Sequence, residues 1–352
     1  MADRERRLEA FVKLGKFLRD YCEYSKKQQS NAPENAQFQE LEQHIGLAGR
    51  ANGWFTSENI EYALRQWGNL LHRENLQNWL SGYPLKNSRQ KTVAIVMAGN
   101  IPLVGFHDFL AVLLSGNSVL AKLSSNDTIL LPFLARYLIS IEPSLKSAIV
   151  FTEDALSAYD VVIATGSNNT ARYFSHYFGH KPHIIRRNRN SVGILTGKES
   201  SSRLEALGED IFRYYGLGCR SISKIFVPKG YDFDRLFKAI FPYRDILEHE
   251  KYANNYDYNK AVYLMSEFKI LDNGFLMLKE DENYASPIAT LFYETYSSLE
   301  TVRQRIKADQ ENIQCVVADG ILDGEIIFGQ TQNPSLTDYA DGIDTVDFLL
   351  KT

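Results

Sequence analysis

Apolar positions change their period along this chain, and the changes outline its elements. Over 5–24 they recur at helical spacing, with Leu8, Phe11, Val12, Leu18 and Tyr21 on one side. This predicts an amphipathic helix with Cys22 as a structural residue near its end. Residues 25–40, rich in Gln, Asn and Ser, read as a loop. Helical spacing returns over 57–82 through Ile60, Leu64, Trp67, Leu70, Leu71, Leu76 and Trp79, and Tyr83-Pro84 stops it. At Val93 the pattern becomes continuous. Strands are predicted over 93–97, 118–122, 148–151 and 161–164, with helices through Phe109–Leu114 and Asp127–Ile139 between them. Leu204, Leu207, Ile211, Phe212 and Tyr215 mark a further helix. Strands at 224–228, 288–293 and 313–318 follow, with helices at 233–241, 249–265 and 298–307. Such alternation predicts an α/β fold built on parallel sheets covered on both faces. A boundary near residue 205 separates 1–205 from 206–330. The tail 331–352 is too short to fold alone and is expected to pack on the core or on a partner subunit.

Composition narrows the function classes. The chain has 352 residues, 44% hydrophobic and 23% charged, as in ordinary globular proteins. A net charge of −4 offers no electrostatic footprint for nucleic acid or an anionic membrane. No apolar run is long enough to cross a bilayer, and the charged start Met1–Arg7 lacks the apolar core of a signal peptide. Cys22, Cys219 and Cys315 are widely separated and form neither a disulfide framework nor a metal-ligand pair. A reducing cytoplasm is the expected location. His176, His180 and His183 have a metal-like spacing, but Gly179 and Pro182 break any helix that would align them, so no metal is expected.

The chemistry concentrates at Gly216-Leu217-Gly218-Cys219-Arg220-Ser221. Glycines let the backbone bend, and cysteine is the most nucleophilic side chain near neutral pH. Between a helix and a strand, Cys219 would be a nucleophile on a rigid turn; the alternative is a small buried hydrophobe. In the first half, Gly99-Asn100, Lys122 and Gly166-Ser167 all follow strands, at the end where parallel sheets bind ligands. The Gly-x-Gly-x-x-Gly dinucleotide fingerprint does not follow any strand. Asn100 also reads as a turn residue before Ile-Pro, and Ser167 as a helix cap. The run Lys251–Asn259 is unusual in polar aromatics. It reads either as the border of a substrate channel or as a packed helix junction.

Four segments taken together resemble the aldehyde dehydrogenase superfamily: Ala94–Leu103 with its Asn before Pro, Ser115-Gly116-Asn117-Ser118-Val119-Leu120-Ala121-Lys122, Thr165-Gly166-Ser167, and the Cys219 turn with its strand. Gly99-Asn100-Ile101-Pro102, the Cys219 turn and Asn333–Gly342 are most similar to the acyl-CoA reductases of the LuxC type. The resemblance implies an aldehyde dehydrogenase-like α/β fold, a Rossmann-type cofactor domain plus a smaller α/β catalytic domain. It also implies reduction of an acyl-CoA or acyl-carrier thioester to an aldehyde, with NADPH as hydride donor. Cys219 would carry the acyl group, and Asn100 with the Cys219 amide would stabilise the oxyanion. Lys122, Ser125, Gly166 and Ser167 would bind the cofactor, and a homo-oligomer is expected. An oxidative aldehyde dehydrogenase and a weakly active cofactor-binding subunit are the alternatives.

Three positions depart from the superfamily pattern. After Lys122 the first carboxylate is Asp127, so nothing at Leu123–Asn126 repels a 2′-phosphate, which favours NADPH. From Val161 to Lys198 there is no Asp or Glu, although the hydrolytic relatives' Glu base would fall near Arg186–Asn190. Arg172, Lys181, Arg186, Arg187, Arg189 and Lys198 occupy the stretch, as a solvated basic face or as partners for CoA or cofactor phosphates. The superfamily's ribose-binding Glu would fall at Asn283, beside Glu282.

Overall fold

A computed structural model describes residues 2–27, 35–85 and 89–352. Contacts divide the chain into two units, residues 1–187 with 335–352 and residues 188–334.

In the first unit, α1 (Ala2–Lys27), α2 (Ala36–Ala51), α3 (Ser57–Leu70) and α4 (Arg73–Ser81) precede the first strand. Helix α2 falls in the stretch read as loop. Leu41, Ile45 and Ala48 bury one of its faces, a helical period hidden among polar residues, and Asn35 caps its start. Of that predicted loop, residues 25–27 belong to the end of α1, and 28–34 lie outside the described residues. The single helix expected over 57–82 is two, separated at Leu71–His72.

Strands β1 (Thr92–Val96), β2 (Ser118–Lys122), β3 (Ile149–Phe151), β4 (Val161–Thr165) and β5 (His183–Arg186) form a parallel sheet in the order β3-β2-β1-β4-β5. Between them come α5 (Phe106–Leu114), α6 (Leu130–Ile141) and α7 (Asn168–Phe178). Strand alternation sorts the two faces. Val93 and Ile95 join the large core shared with α1–α6, whereas Ala94, Val162 and Ala164 meet Phe174 and Phe178 of α7.

The tail returns to this same unit. Tyr339 Oη lies 2.6 Å from both Trp79 Nε1 and Tyr83 Oη, and His107 Nε2 lies 3.0 Å from the Leu336 carbonyl. Its last helix, α12 (Thr345–Lys351), packs against α5.

In the second unit a six-stranded sheet runs β11-β6-β7-β10-β9-β8. Its strands are β6 (Asn190–Ile194), β7 (Ile222–Pro228), β8 (Ile270–Asp272), β9 (Met277–Glu280), β10 (Thr290–Tyr296) and β11 (Ile313–Val317). All pairs are parallel except β8 with β9. Helices α8 (Ser201–Phe212), α9 (Phe233–Ile240), α10 (Glu250–Met265) and α11 (Leu299–Ala308) complete it. The division falls between β5 and β6 rather than near residue 205, which lies inside α8. The reason is pairing: β5 adds to β4, whereas β6 sits between β7 and β11.

Candidate active site

Strand order in the first sheet reverses at β1, with β2 and β3 on one side and β4 and β5 on the other. Open α/β sheets bind ligands at such a switch point, beyond the carboxyl ends of the strands. The loops after β1 and β4 flank it, and they carry Asn100 and Gly166-Ser167. Asn100 is exposed. Its loop is anchored three residues on, where the Leu103 amide donates to Asp127 Oδ2 at 3.1 Å. Leu103 itself is left-handed, with φ at 58°, which is unusual for a non-glycine residue. Gly99 lies against the loop after β2; a Cβ there would fall 2.6 Å from Ser124 Oγ. The first carboxylate after Lys122 is therefore engaged inside the unit. Burial pushes Asp127 up to about 6, against the pull of the Leu103 and Leu130 amides.

Lys122 ends β2 and donates from Nζ to the Asp154 carbonyl at 3.1 Å. With Val96, Leu156, Tyr159, Phe174 and Phe178 it lines a cavity of about 670 Å³. Aromatic and aliphatic walls with a cation at the edge suit a flat heteroaromatic group. Ser125 is exposed in the turn after β2 and is not part of that lining. At Gly166 a Cβ would lie 2.9 Å from the Phe174 ring, so packing on α7 calls for glycine whatever binds there. Ser167 caps α7, accepting the Thr170 amide at 3.2 Å. An anion would meet the same helix start, whose first turn carries no acid.

One expected phosphate partner is excluded by its surroundings. Arg186 is buried, with Nη2 2.9 Å from Asp108 Oδ1, Nη1 paired to Asp108 Oδ2, and Nη2 3.0 Å from Thr345 Oγ1. Burial alone would raise the Asp108 carboxyl, but the Arg186 charge and hydrogen bonds outweigh it and hold the group below the usual carboxylate range.

In the second unit Cys219 is exposed on a turn between α8 and β7. The approach is strained: Tyr214, Tyr215 and Gly216 all have positive φ, at 56°, 58° and 76°. Only Gly216 adopts this freely, and strain of this kind concentrates at functional sites. The turn closes with the Ser221 amide donating to the Gly218 carbonyl at 3.0 Å. Arg220 Nε donates to the Thr331 carbonyl at 2.5 Å, and Gln332 Nε2 donates to Ser221 Oγ at 3.3 Å. Segment 329–331 is held in turn by Asp210, which accepts the Gly329 and Thr331 amides at 2.6 and 2.9 Å. Burial pushes Asp210 up to about 6, and those two amides oppose the rise. Tyr215 stacks on His249 with ring centroids 4.1 Å apart.

Sequence reasoning missed this support. Its one legible signal was Asp210 itself, an acid among Leu207, Ile211 and Phe212 on the buried face of α8. Lys251–Asn259 lies inside α10, with Tyr252 and Tyr256 buried and Tyr258 exposed. Tyr252 Oη donates to the Phe275 carbonyl at 2.9 Å, and its ring borders a cavity of about 250 Å³ lined also by Gly216, Leu217, Ile222 and Ser223.

Solved structures similar to this chain include aldehyde dehydrogenases. An indole-3-acetaldehyde dehydrogenase solved with NAD+ is 12% identical with a TM-score of 0.65, covering 90% of this chain and 76% of its own. The putative aldehyde dehydrogenase PutA from Anabaena variabilis is 14% identical with a TM-score of 0.60, covering 93% and 85%. The aldehyde dehydrogenase KauB from Pseudomonas aeruginosa is 12% identical with a TM-score of 0.65, covering 90% and 76%. At these identities the likeness shows the fold. No curated protein matches the chain in sequence. A model of the acyl-CoA reductase (LuxC) family matches residues 8–236, which run from α1 past the Cys219 turn into α9. The chain belongs to the LuxC acyl-CoA reductase family, built on the aldehyde dehydrogenase fold.

Proposed function

We propose that this chain reduces an acyl-CoA, or another acyl thioester, to the aldehyde with NADPH, through a thioacyl intermediate on Cys219. The observation that carries the reading is an exposed cysteine on a strained, hydrogen-bonded turn within the span matched by the family. The Cys219 thiolate attacks the thioester carbonyl, the C–S bond to CoA breaks, and CoA leaves as its thiol. Asn100 and the Cys219 amide are assigned as donors to the oxygen on which charge builds; loss of one such donor costs about 3 kcal/mol. Bound NADPH supplies a hydride.

The cavity beside Lys122 fits the adenosine end of that cofactor, having an aromatic wall and a cation but no carboxylate in its lining. Gly166 and Ser167 stand at the α7 start, where backbone amides would meet phosphate. Ser125 is assigned to the ribose side on its place in the turn after β2. The preference for NADPH over NADH rests on Asp127 being buried and tied to Leu103. The acid-free stretch from Val161 to Lys198 supports reduction over hydrolytic oxidation, since no carboxylate there activates water. Among the described residues no helix is long and apolar enough to cross a membrane. A homo-oligomer is part of the reading.

The test is to mix the protein with acyl-CoA, without NADPH, and map the acyl group by mass spectrometry. Acylation at Cys219, followed by aldehyde release on adding NADPH, is expected. Acylation at Cys22 or Cys315, or full activity in Cys219→Ala, would overturn the assignment.

A further inference from the structure

Ser191 sits on β6 with its side chain fully buried, and both neighbouring ladders are irregular at that residue. On the β7 side, Ser191 pairs with Ile222 and Val192 with Lys224, so Ser223 is an extra residue. On the β11 side, Asn190 pairs with Ile313 and Val192 with Val316, so Gln314 and Cys315 stand opposite Ser191 alone. Bulges of this kind re-aim side chains and gather beside active sites. Here both register shifts fall beside one buried hydroxyl. Ser191 Oγ donates to the carbonyl of Cys219 at 2.9 Å and lies 2.9 Å from Cys315 Sγ. A serine hydroxyl has a single proton. With that proton on the Cys219 carbonyl, the remaining contact is the Cys315 thiol donating to Ser191 Oγ.

We propose that Ser191 and Cys315 are positioning residues for the Cys219 turn, acting through the chain Cys315 S–H to Ser191 O–H to Cys219 C=O. The inference rests on the reading of Cys219 as nucleophile. The Cys219 carbonyl belongs to the Cys219–Arg220 peptide, and fixing it fixes the rotation of the turn that carries the thiol. Arg220 and Ser221 are held from segment 331–332, and the Ser191 bond adds a side-chain restraint from the sheet. Neither positioning residue touches the reacting atoms. Their effect should therefore appear in the rate at which Cys219 is acylated and not in cofactor affinity.

The experiment measures single-turnover acylation of Cys219 by acyl-CoA, with peptide mapping to locate the label, alongside NADPH affinity and thermal melting. Ser191→Ala should slow acylation about tenfold, the worth of one net hydrogen bond, with NADPH affinity unchanged. Cys315→Ala should slow it less. Cys315→Ser, which keeps a donor at that place, should return the rate to within twofold of the parent. Ser191→Thr keeps the hydroxyl and serves if the alanine variant does not fold; it should acylate within about threefold of the parent. A folded Ser191→Ala that acylates Cys219 at the parent rate would overturn the inference while leaving the nucleophile intact. So would a Cys315→Ser as slow as Cys315→Ala. Absence of acyl-Cys219 in the parent protein would instead overturn the reading beneath it.

Discussion

Arg186 offers a decisive perturbation, because two readings of it predict opposite results. As a phosphate ligand it would raise KM when removed and leave the fold alone. As a buried ion pair with Asp108 it should do the reverse. Both side chains are about 95% buried, and Thr345, fully buried, completes the cluster that ties β5, α5 and α12. Arg186→Met leaves the Asp108 carboxylate uncompensated in the interior, which costs about 3–5 kcal/mol. At roughly 2–4 °C per kcal/mol for a unit of this size, melting should drop by about 6–20 °C.

The double variant Arg186→Met/Asp108→Leu removes both charges and should recover most of the loss, since apolar replacement of a buried pair is often nearly neutral. The Asp108 carboxyl lies below its unfolded value, so the pair's contribution is present above the unfolded pKa and lost as pH falls through the folded one. Urea denaturation at neutral pH measures the stabilities, and initial rates give KM for acyl-CoA and NADPH. An Arg186→Met enzyme within about 1 kcal/mol of the parent, with KM for either ligand raised tenfold, would refute the structural reading.

Ser125→Glu should weaken NADPH binding by about 1 kcal/mol, roughly fivefold, the modest size reflecting an exposed site; titration with NADPH and NADH checks it, and no change would move the ribose elsewhere. Acyl-Cys219 should persist in water without NADPH, because general-base help worth about 10²–10⁴-fold is missing from 161–198; release of free acid at the turnover rate would place a base elsewhere, with Glu248, Glu250 and Glu282 first to mutate. Asp127 has a folded pKa raised to about 6, so its stabilising contribution is complete below the unfolded value and lost as pH rises through 6. Relative to the parent, Asp127→Asn should therefore gain up to about 3 kcal/mol between pH 4 and 7, and a pH-independent difference in urea melts would sink the idea.

What the chain determined by itself was local. Strand β2 falls at Ser118–Lys122 as its apolar run predicts, and β1, β4 and α9 fall within a residue or two of their expected bounds, because buried parallel strands and amphipathic helices write their period into neighbouring residues. The Cys219 turn was legible for the same reason, with glycines between a helical and a continuous apolar stretch. The family resemblance was legible too, from short motifs in order, and the family model matches residues 8–236.

Pairing across distance was decided only by the tertiary structure. Nothing near residue 187 announces that β5 joins one sheet and β6 another, so the division was placed too late. Arg186 reads as one of six surface cations until Asp108 and Thr345, far away in sequence, surround it. Segment 329–332 supports the Cys219 turn from more than a hundred residues away and is itself held by Asp210, and Ser191 reaches Cys219 and Cys315 through strand neighbours. A hydrogen-bond partner leaves no period in the sequence. Only the packing of the sheets selects which polar side chain faces which loop.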